Sequence, residues 1–476
     1  MAKQNVKTES WVENYFQLQQ HGTTVKTEVI AGLTTFFTMA YIIVVNPGII
    51  SMGDGQIYNG VFFATCISAF IGTALMAFLA KIPFAQAPGM GLNAFFAFTV
   101  MPAMIKITGK DLTIIEQYQC ALALVFMSGL LFILITVIGA REAIVKAIPQ
   151  NVKLAISGGI GLFLAYLGLQ NAGIVVPDPA VQVGLINFAG IVDPEQRMKV
   201  MGAILAILGL FIITALYKLK VKGSILIGIL VTGVLAYFPF GIAKLPDSFA
   251  INFGAQAKDF MDVSFFRLDF GTLFAGKNLM EAIATVLVLI LTFSMVDMFD
   301  TIGTLLGTAS AAGLMDEDGN MERMKPALLS DAIATASGAL LGTSTVTTFV
   351  ESSSGIAVGG RTGLTSAVSA LCFLLSIIAA PFVLLIPGVA TAPALIFVGA
   401  LMIGGVRKMD FDDISEAIPG FLTIAMMPLT YSIANGIGFG LISYCLIKLF
   451  TGKVKETSWI TWLISFFFIL KFCLAI

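Results

Sequence analysis

Apolar stretches of about 20 residues recur from residue 29 to the C-terminus, and this recurrence decides what the chain can fold into. Helices of that length cross a bilayer, and the stretches fall near 29–45, 60–80, 91–105, 118–138, 152–169, 200–217 and 223–241. A second set follows near 281–307, 326–341, 352–358 with its flanks, 363–385, 390–405, 414–432 and 436–450. That makes about fourteen spans, about seven on either side of a polar stretch holding Lys258, Arg267 and Lys277. A last apolar stretch at 459–472 is either one more span or a helix lying in the interface. Composition points the same way: 58% of residues are hydrophobic and only 12% charged, where a soluble domain carries about a quarter. The expected fold class is therefore an all-α polytopic membrane protein.

The same composition removes several classes of function. A formal net charge of −1 gives no basic footprint for nucleic acid. The cysteines (Cys66, Cys120, Cys372, Cys445 and Cys473) are scattered without redox or metal spacing. The sole histidine, His21, lies in the polar N-terminal stretch, so imidazole catalysis and a zinc site are not expected. The chain reads as neither an enzyme nor a holder of metal or cofactor. Residues 1–26 lack an apolar segment of the kind a cleavable signal needs. Residues 11–26 read instead as a short amphipathic piece on the membrane surface. Placing the N-terminus in the cytoplasm puts Lys81, Arg141, Lys146, Lys218, Lys220, Lys222, Arg361, Arg407, Lys408, Lys448, Lys453 and Lys455 on the inner side. The acidic loop at 315–325 is expected to be a solvated connection.

An odd number of spans in each half would invert the second half against the first, as many secondary transporters do. The third and tenth spans are anomalous in the same way. The third reads IPFAQAPGMGLNAFFAF at 82–98, where Pro83, Pro88, Gly89 and Gly91 prevent a continuous helix. The tenth reads GTSTVTTFVESSSGIAVGG at 342–360, with β-branched residues from Thr345 to Val350 and then a possible helix start at Glu351. Each is expected to be a short extended break followed by a half-helix. Irregular backbone at membrane depth persists only where protein or a water-filled cavity surrounds it. Two half-helices would aim free N–H groups at one central point, with Asn93 and Glu351 at the breaks. A pair of re-entrant packing features without a ligand is the plainer alternative.

The eighth span carries SMVDMFDTIG at 294–303, so Asp297 and Asp300 lie three apart on one helix face. A charged aspartate at the bilayer centre costs about 2.5–3.5 kcal/mol on insertion scales. Either could serve as a proton-binding or helix-pairing group, or could accept N–H bonds from a heterocycle. No nucleophile–base pair or phosphate loop accompanies them. The glycine-rich run at 359–363 lacks the lysine of a nucleotide loop and reads as a tight cytoplasmic turn.

Several stretches together resemble the AzgA-like purine permeases, a branch of the nucleobase–cation symporter 2 (nucleobase:ascorbate transporter) superfamily. They are AGLTTFFTMAY at 31–41 with Asn46 and Pro47, APGMGLNA at 87–94, DMFDTIG at 297–303 and TTFVESSSG at 347–355. Ile418 with Pro419, and MMPLTYSIANG at 426–436, complete the set, which covers nearly the whole chain in order. The resemblance implies proton-coupled uptake of guanine, hypoxanthine or adenine by a homodimer in the cell (inner or plasma) membrane. It implies the uracil-transporter fold, with 7+7 inverted repeats and a core that moves against a gate in an elevator-like step. On that plan residues 1–27 are a cytoplasmic N-terminal segment, 28–140 and 280–386 form the core (spans 1–4 and 8–11), and 141–245 and 387–452 form the gate (spans 5–7 and 12–14). Residues 246–279 are the extracytoplasmic connection and 453–476 a C-terminal apolar segment. Asp297 and Glu351 would hold the purine and serve proton coupling, and Asn93 would complete the site or orient Glu351. Asp300 would be a proton or helix-linking partner. Phe95 and Phe349 would stack on the base or simply pack.

Three other readings compete. An anion carrier of the same fold would need a positive centre, which Asp297 and Glu351 oppose. A carrier of another nucleobase fits the same residues. A cation channel could use carboxylates, although it would favour symmetric subunits over helices broken within one chain.

Overall fold

The computed structural model describes residues 11–139, 147–178, 182–238, 241–243, 253–274, 323–383 and 385–473. It also describes Met321 and scattered positions between 283 and 305, among them Phe293, Ser294, Asp297 and Thr301. Asp300 and most of the acidic loop lie outside the described residues.

A short helix α1 (Trp11–Phe16) precedes a first span made of α2 (Val25–Met39) and α3 (Ile42–Ile50). Thr24 caps α2 by accepting from Thr27 N, and Asp54 caps α4 (Gly55–Leu75) by accepting from the N–H groups of Gln56 and Ile57. The third span begins with β1 (Gln86–Pro88) and continues as α5 (Met90–Phe95) and α6 (Met101–Thr108). A reciprocal Thr113–Glu116 capping box opens α7 (Ile114–Val137). Then come α8 (Gln150–Asn171), a hairpin of β2 (Val175–Asp178) and β3 (Gln182–Leu185), α9 (Pro194–Lys218) and α10 (Ser224–Tyr237).

Beyond the eighth span the order is α11 (Met324–Leu341), β4 (Val346–Thr348), α12 (Ser352–Ala357) and α13 (Gly363–Leu375). Next are α14 (Gly388–Met402), α15 (Ile414–Leu429), α16 (Ile433–Phe450) and α17 (Trp459–Cys473). Among the described residues seven helical runs are long and apolar enough to cross a membrane, and shorter apolar helices accompany them. The apolar stretch at 459–472 forms α17, which runs antiparallel to α16: Cys445 meets Ser465, and Phe468 and Phe472 cover Gly438.

The helices pack in two groups, and each draws on both halves of the chain. In one, α4 lies against α3, α11 and α13, α7 against α11, and α2 against α12 and α13. In the other, α8 lies between α14 and α15, α15 packs on α16, and α9 packs on α10 and α14. Gly161 and Gly399 let α8 and α14 approach backbone to backbone: a Cβ on Gly161 would stand 2.6 Å from the Gly399 carbonyl oxygen.

The two expected breaks are present, and they pair with each other. α4 ends in a turn that puts Lys81 at φ 59°, and α11 ends at Gly342 with φ 102°. Each is followed by an extended triplet and then a helix of six residues. β1 and β4 run antiparallel, with Gln86 opposite Thr348, Ala87 opposite Thr347 and Pro88 opposite Val346. Gly89 N donates to Thr345 O at 3.1 Å and Phe349 N to Ala85 O at 3.0 Å, which extends the ladder at both ends. All six strand residues are buried. Side chains of the flanking helices complete the pairing. The Thr73 hydroxyl bonds both Gln86 O and Gln86 N at 2.9 Å, and the Thr335 hydroxyl donates to Val346 O at 3.2 Å.

Glu28 ties the first span to the far end of this region. Its fully buried carboxylate accepts from Arg361 N (2.9 Å), from Thr362 N and Oγ1 (3.3 and 2.9 Å), and from Thr365 N and Oγ1 (3.1 and 2.6 Å). These include backbone N–H groups just before and within the first turn of α13, where the helical ladder is incomplete. Glu28→Leu should therefore lower the melting temperature of the detergent-purified protein, with a cost of about 3 kcal/mol from stranded buried donors. Glu28→Gln, which keeps an acceptor oxygen, should cost less. Equal melting temperatures for both variants and the parent would show that these bonds do not hold α13.

Candidate functional site

The site is built where the β1–β4 pair meets the eighth span and α11. Asp297 on the eighth span is 1% exposed, and its Oδ2 accepts from the Thr335 hydroxyl of α11 at 3.3 Å. Because Thr335 also donates to the β4 backbone, one hydroxyl links this acid to the strand pair. Glu351 stands at the N-terminus of α12, immediately after β4. Its Oε1 accepts the phenolic proton of Tyr41 at 2.7 Å, so the carboxylate is met by a neutral donor from the junction of α2 and α3. Glu351 is only partly buried and its neighbour Val350 is 60% exposed, so this end of the site reaches the protein surface.

Asn93 takes a place that differs from the one expected of a residue orienting Glu351. It is fully buried on α5, its amide donates to Pro88 O at 3.4 Å, and its Oδ1 accepts from the Ser344 hydroxyl. Ser344 lies just before β4, so Asn93 fastens the third-span half-helix to the tenth-span break. Phe95 is fully buried and meets Phe293, one turn before Asp297, with ring centroids 5.3 Å apart and planes tilted by 43°. Phe349 is 7% exposed and shares the ladder through its N–H. Asp300 lies outside the described residues.

A second buried acid was missed in the sequence. Asp331, in α11, is fully buried, and both its oxygens accept from the Thr301 hydroxyl at 2.9 Å. Gln86 of β1 donates to the same carboxylate at 3.3 Å, and Thr301 meets Thr347 of β4 at 2.7 Å. Thr301 is four residues beyond Asp297, and Thr335 four beyond Asp331, so each helix presents an acid and a hydroxyl on one face toward the other. The signal was available: an aspartate inside an apolar stretch is the feature that singles out Asp297. The Oε1 of Gln86 and the hydroxyl oxygen of Thr345, both buried here, lack a hydrogen-bond partner among the described residues.

Chemically, this is a set of acceptors and hydroxyls with acids at its centre. Lysine and glutamate do pair elsewhere, where Lys448 reaches Glu416 at 3.2 Å and Glu456 at 2.9 Å near the end of α16. Groups of at least three His, Cys, Asp or Glu side chains able to hold a metal ion are absent among the described residues. Carboxylates flanked by neutral donors suit a neutral or N–H-rich solute better than an anion.

Comparison with known proteins agrees in kind. Residues 26–439 match the model of Xan_ur_permease, a permease family. The chain is 44% identical over 469 residues to a putative permease of Methanocaldococcus jannaschii, MJ0326, covering 97% of this chain and 98% of that one. It is 38% identical to the adenine permease AdeP of Escherichia coli, covering 97% and 95%. It is 40% identical to the guanine/hypoxanthine permease PbuO of Bacillus subtilis, covering 93% and 95%. Among solved structures, the transmembrane domain of the cyanobacterial bicarbonate transporter BicA superposes with a TM-score of 0.60 at 17% identity, covering 86% of this chain and 96% of that one. That likeness is one of fold. The chain thus belongs to the permease family, as a multi-pass helical membrane transporter and not an enzyme.

Proposed function

We propose that the protein carries purine nucleobases, namely guanine, hypoxanthine and adenine, across the cell membrane in symport with protons. The observation that carries this reading is the placing of Asp297 and Glu351 beside two paired breaks, where their carboxyl oxygens can accept N–H bonds. A purine offers ring N–H and exocyclic groups along one edge, and two fixed carboxyl groups can meet them in pairs. Relatives named as adenine and guanine/hypoxanthine permeases support the choice of solute.

On this reading Asp297 and Glu351 bind the base, and one or both take the co-transported proton, with Asp300 as a further proton or helix-linking group. Asn93 acts through the Ser344 contact, holding the two breaks in register. Phe95 and Phe349 line the base-stacking side. The chain is organised as fourteen spans in 7+7 inverted repeats with a cytoplasmic N-terminus. The group holding α2–α7 and α11–α13 is the core, and the group holding α8–α10 and α14–α16 is the gate. The segment boundaries are those set out from the sequence (28–140, 141–245, 280–386 and 387–452). The helix packing in two groups, each mixed from both halves, supports this division. An elevator-like movement of the core against the gate of a homodimer would carry the site between the two faces.

Uptake of radiolabelled hypoxanthine into cells lacking their own purine permeases should be saturable, and unlabelled guanine should compete while uracil should not. Competition by uracil alone would replace the purine reading with a pyrimidine one. Glu351→Gln and Asp297→Asn should each cut uptake by about tenfold or more at equal membrane abundance; normal uptake by both would move the site elsewhere. A protonophore should abolish accumulation above the external concentration. Accumulation indifferent to it, yet dependent on sodium, would contradict proton coupling.

A further inference from the structure

We propose that Tyr41 is a positioning residue for substrate binding, whose hydroxyl holds one oxygen of Glu351 so that the other is presented to the solute. The inference rests on the reading of Glu351 as a substrate-binding group. Tyr41 is fully buried at the junction of α2 and α3, where its phenol reaches across to the neighbouring break. Its O–H donates to Glu351 Oε1 at 2.7 Å. Tyr41 engages Oε1 alone of this carboxylate, on a side chain that is only partly buried, and so leaves Oε2 outside the phenol's contact. A phenol has a single proton to give. Engaged on Oε1, it fixes the carboxylate plane and leaves one defined oxygen for an N–H donor.

The surrounding contacts show why the first span is suited to this. Asn46, five residues after Tyr41, donates to the Thr343 hydroxyl at 3.0 Å and to the Thr65 hydroxyl at 2.7 Å. Glu28, on the same span, grips Arg361, Thr362 and Thr365. The first span therefore holds the tenth-span break before β4, at Glu351 and beyond α12. Among these three anchors, only the Tyr41 contact ends on an atom of the proposed binding group. The other two fix backbone and hydroxyls around it.

The test is Tyr41→Phe, which keeps the ring and deletes only the oxygen, measured by uptake kinetics beside Glu351→Gln. Tyr41→Phe should raise KM for hypoxanthine by about tenfold while Vmax per transporter stays within about twofold, because an unanchored carboxylate must be ordered by the substrate itself. KM does not depend on the amount of folded protein, so a lower yield leaves the comparison valid. An unchanged KM in Tyr41→Phe, with or without a fall in Vmax and melting temperature, would make Tyr41 a packing residue and overturn the proposal. Full activity in Glu351→Gln would instead remove the binding role of Glu351, a failure distinguishable from that of Tyr41.

Discussion

Backbone that leaves the helical conformation inside a bilayer has to find its hydrogen bonds in other protein, and in this chain the two places where that happens satisfy each other. Gln86–Pro88 cannot continue α4, because Pro83, Pro88 and Gly89 forbid it, and Val346–Thr348 cannot continue α11 past Gly342. Pairing the two triplets satisfies both. It also forces the third and tenth spans to meet, which fixes where α5 and α12 begin and what lies between them. Helices α4 and α11 then press on the pair from the sides, each contributing a threonine that bonds strand backbone.

The acids follow from that arrangement. A small buried sheet leaves polar side chains pointing toward the helices that cover it, and Gln86 and Thr347 point at the eighth span and α11. Asp297 and Asp331 are tolerated at this depth because hydroxyls and an amide are already oriented there to meet them. Glu351 lies three residues beyond β4, held by Tyr41. On the proposed reading support and function are entangled: the groups that keep broken backbone stable are the groups that shape the acceptor surface a solute would meet.

Much of this was legible in the sequence where local chemistry speaks alone. The recurrence of apolar stretches gives the helical membrane class, and proline, glycine and β-branched residues mark the regions, Pro83–Gly91 and Thr345–Val350, in which both breaks fall. Asp297 and Glu351 stand out because charge inside an apolar span is costly. What the sequence could not give was pairing across distance. Nothing local says that Gln86 faces Thr348, that Asn93 reaches Ser344 in place of Glu351, or that Tyr41 spans 310 residues to Glu351. Asp331 shows a different failing. Its signal equals that of Asp297, but its stretch contains no break or second acid nearby to draw attention to it.

The most direct measurement is a cryo-electron microscopy structure of the protein reconstituted in lipid with hypoxanthine bound. Density for a planar base within hydrogen-bond distance of both Asp297 and Glu351, beside an intact β1–β4 pair, is the expected result. Base density away from the strand pair, or a binding conformation in which the third and tenth spans no longer meet, would contradict the claim that paired broken helices make the site.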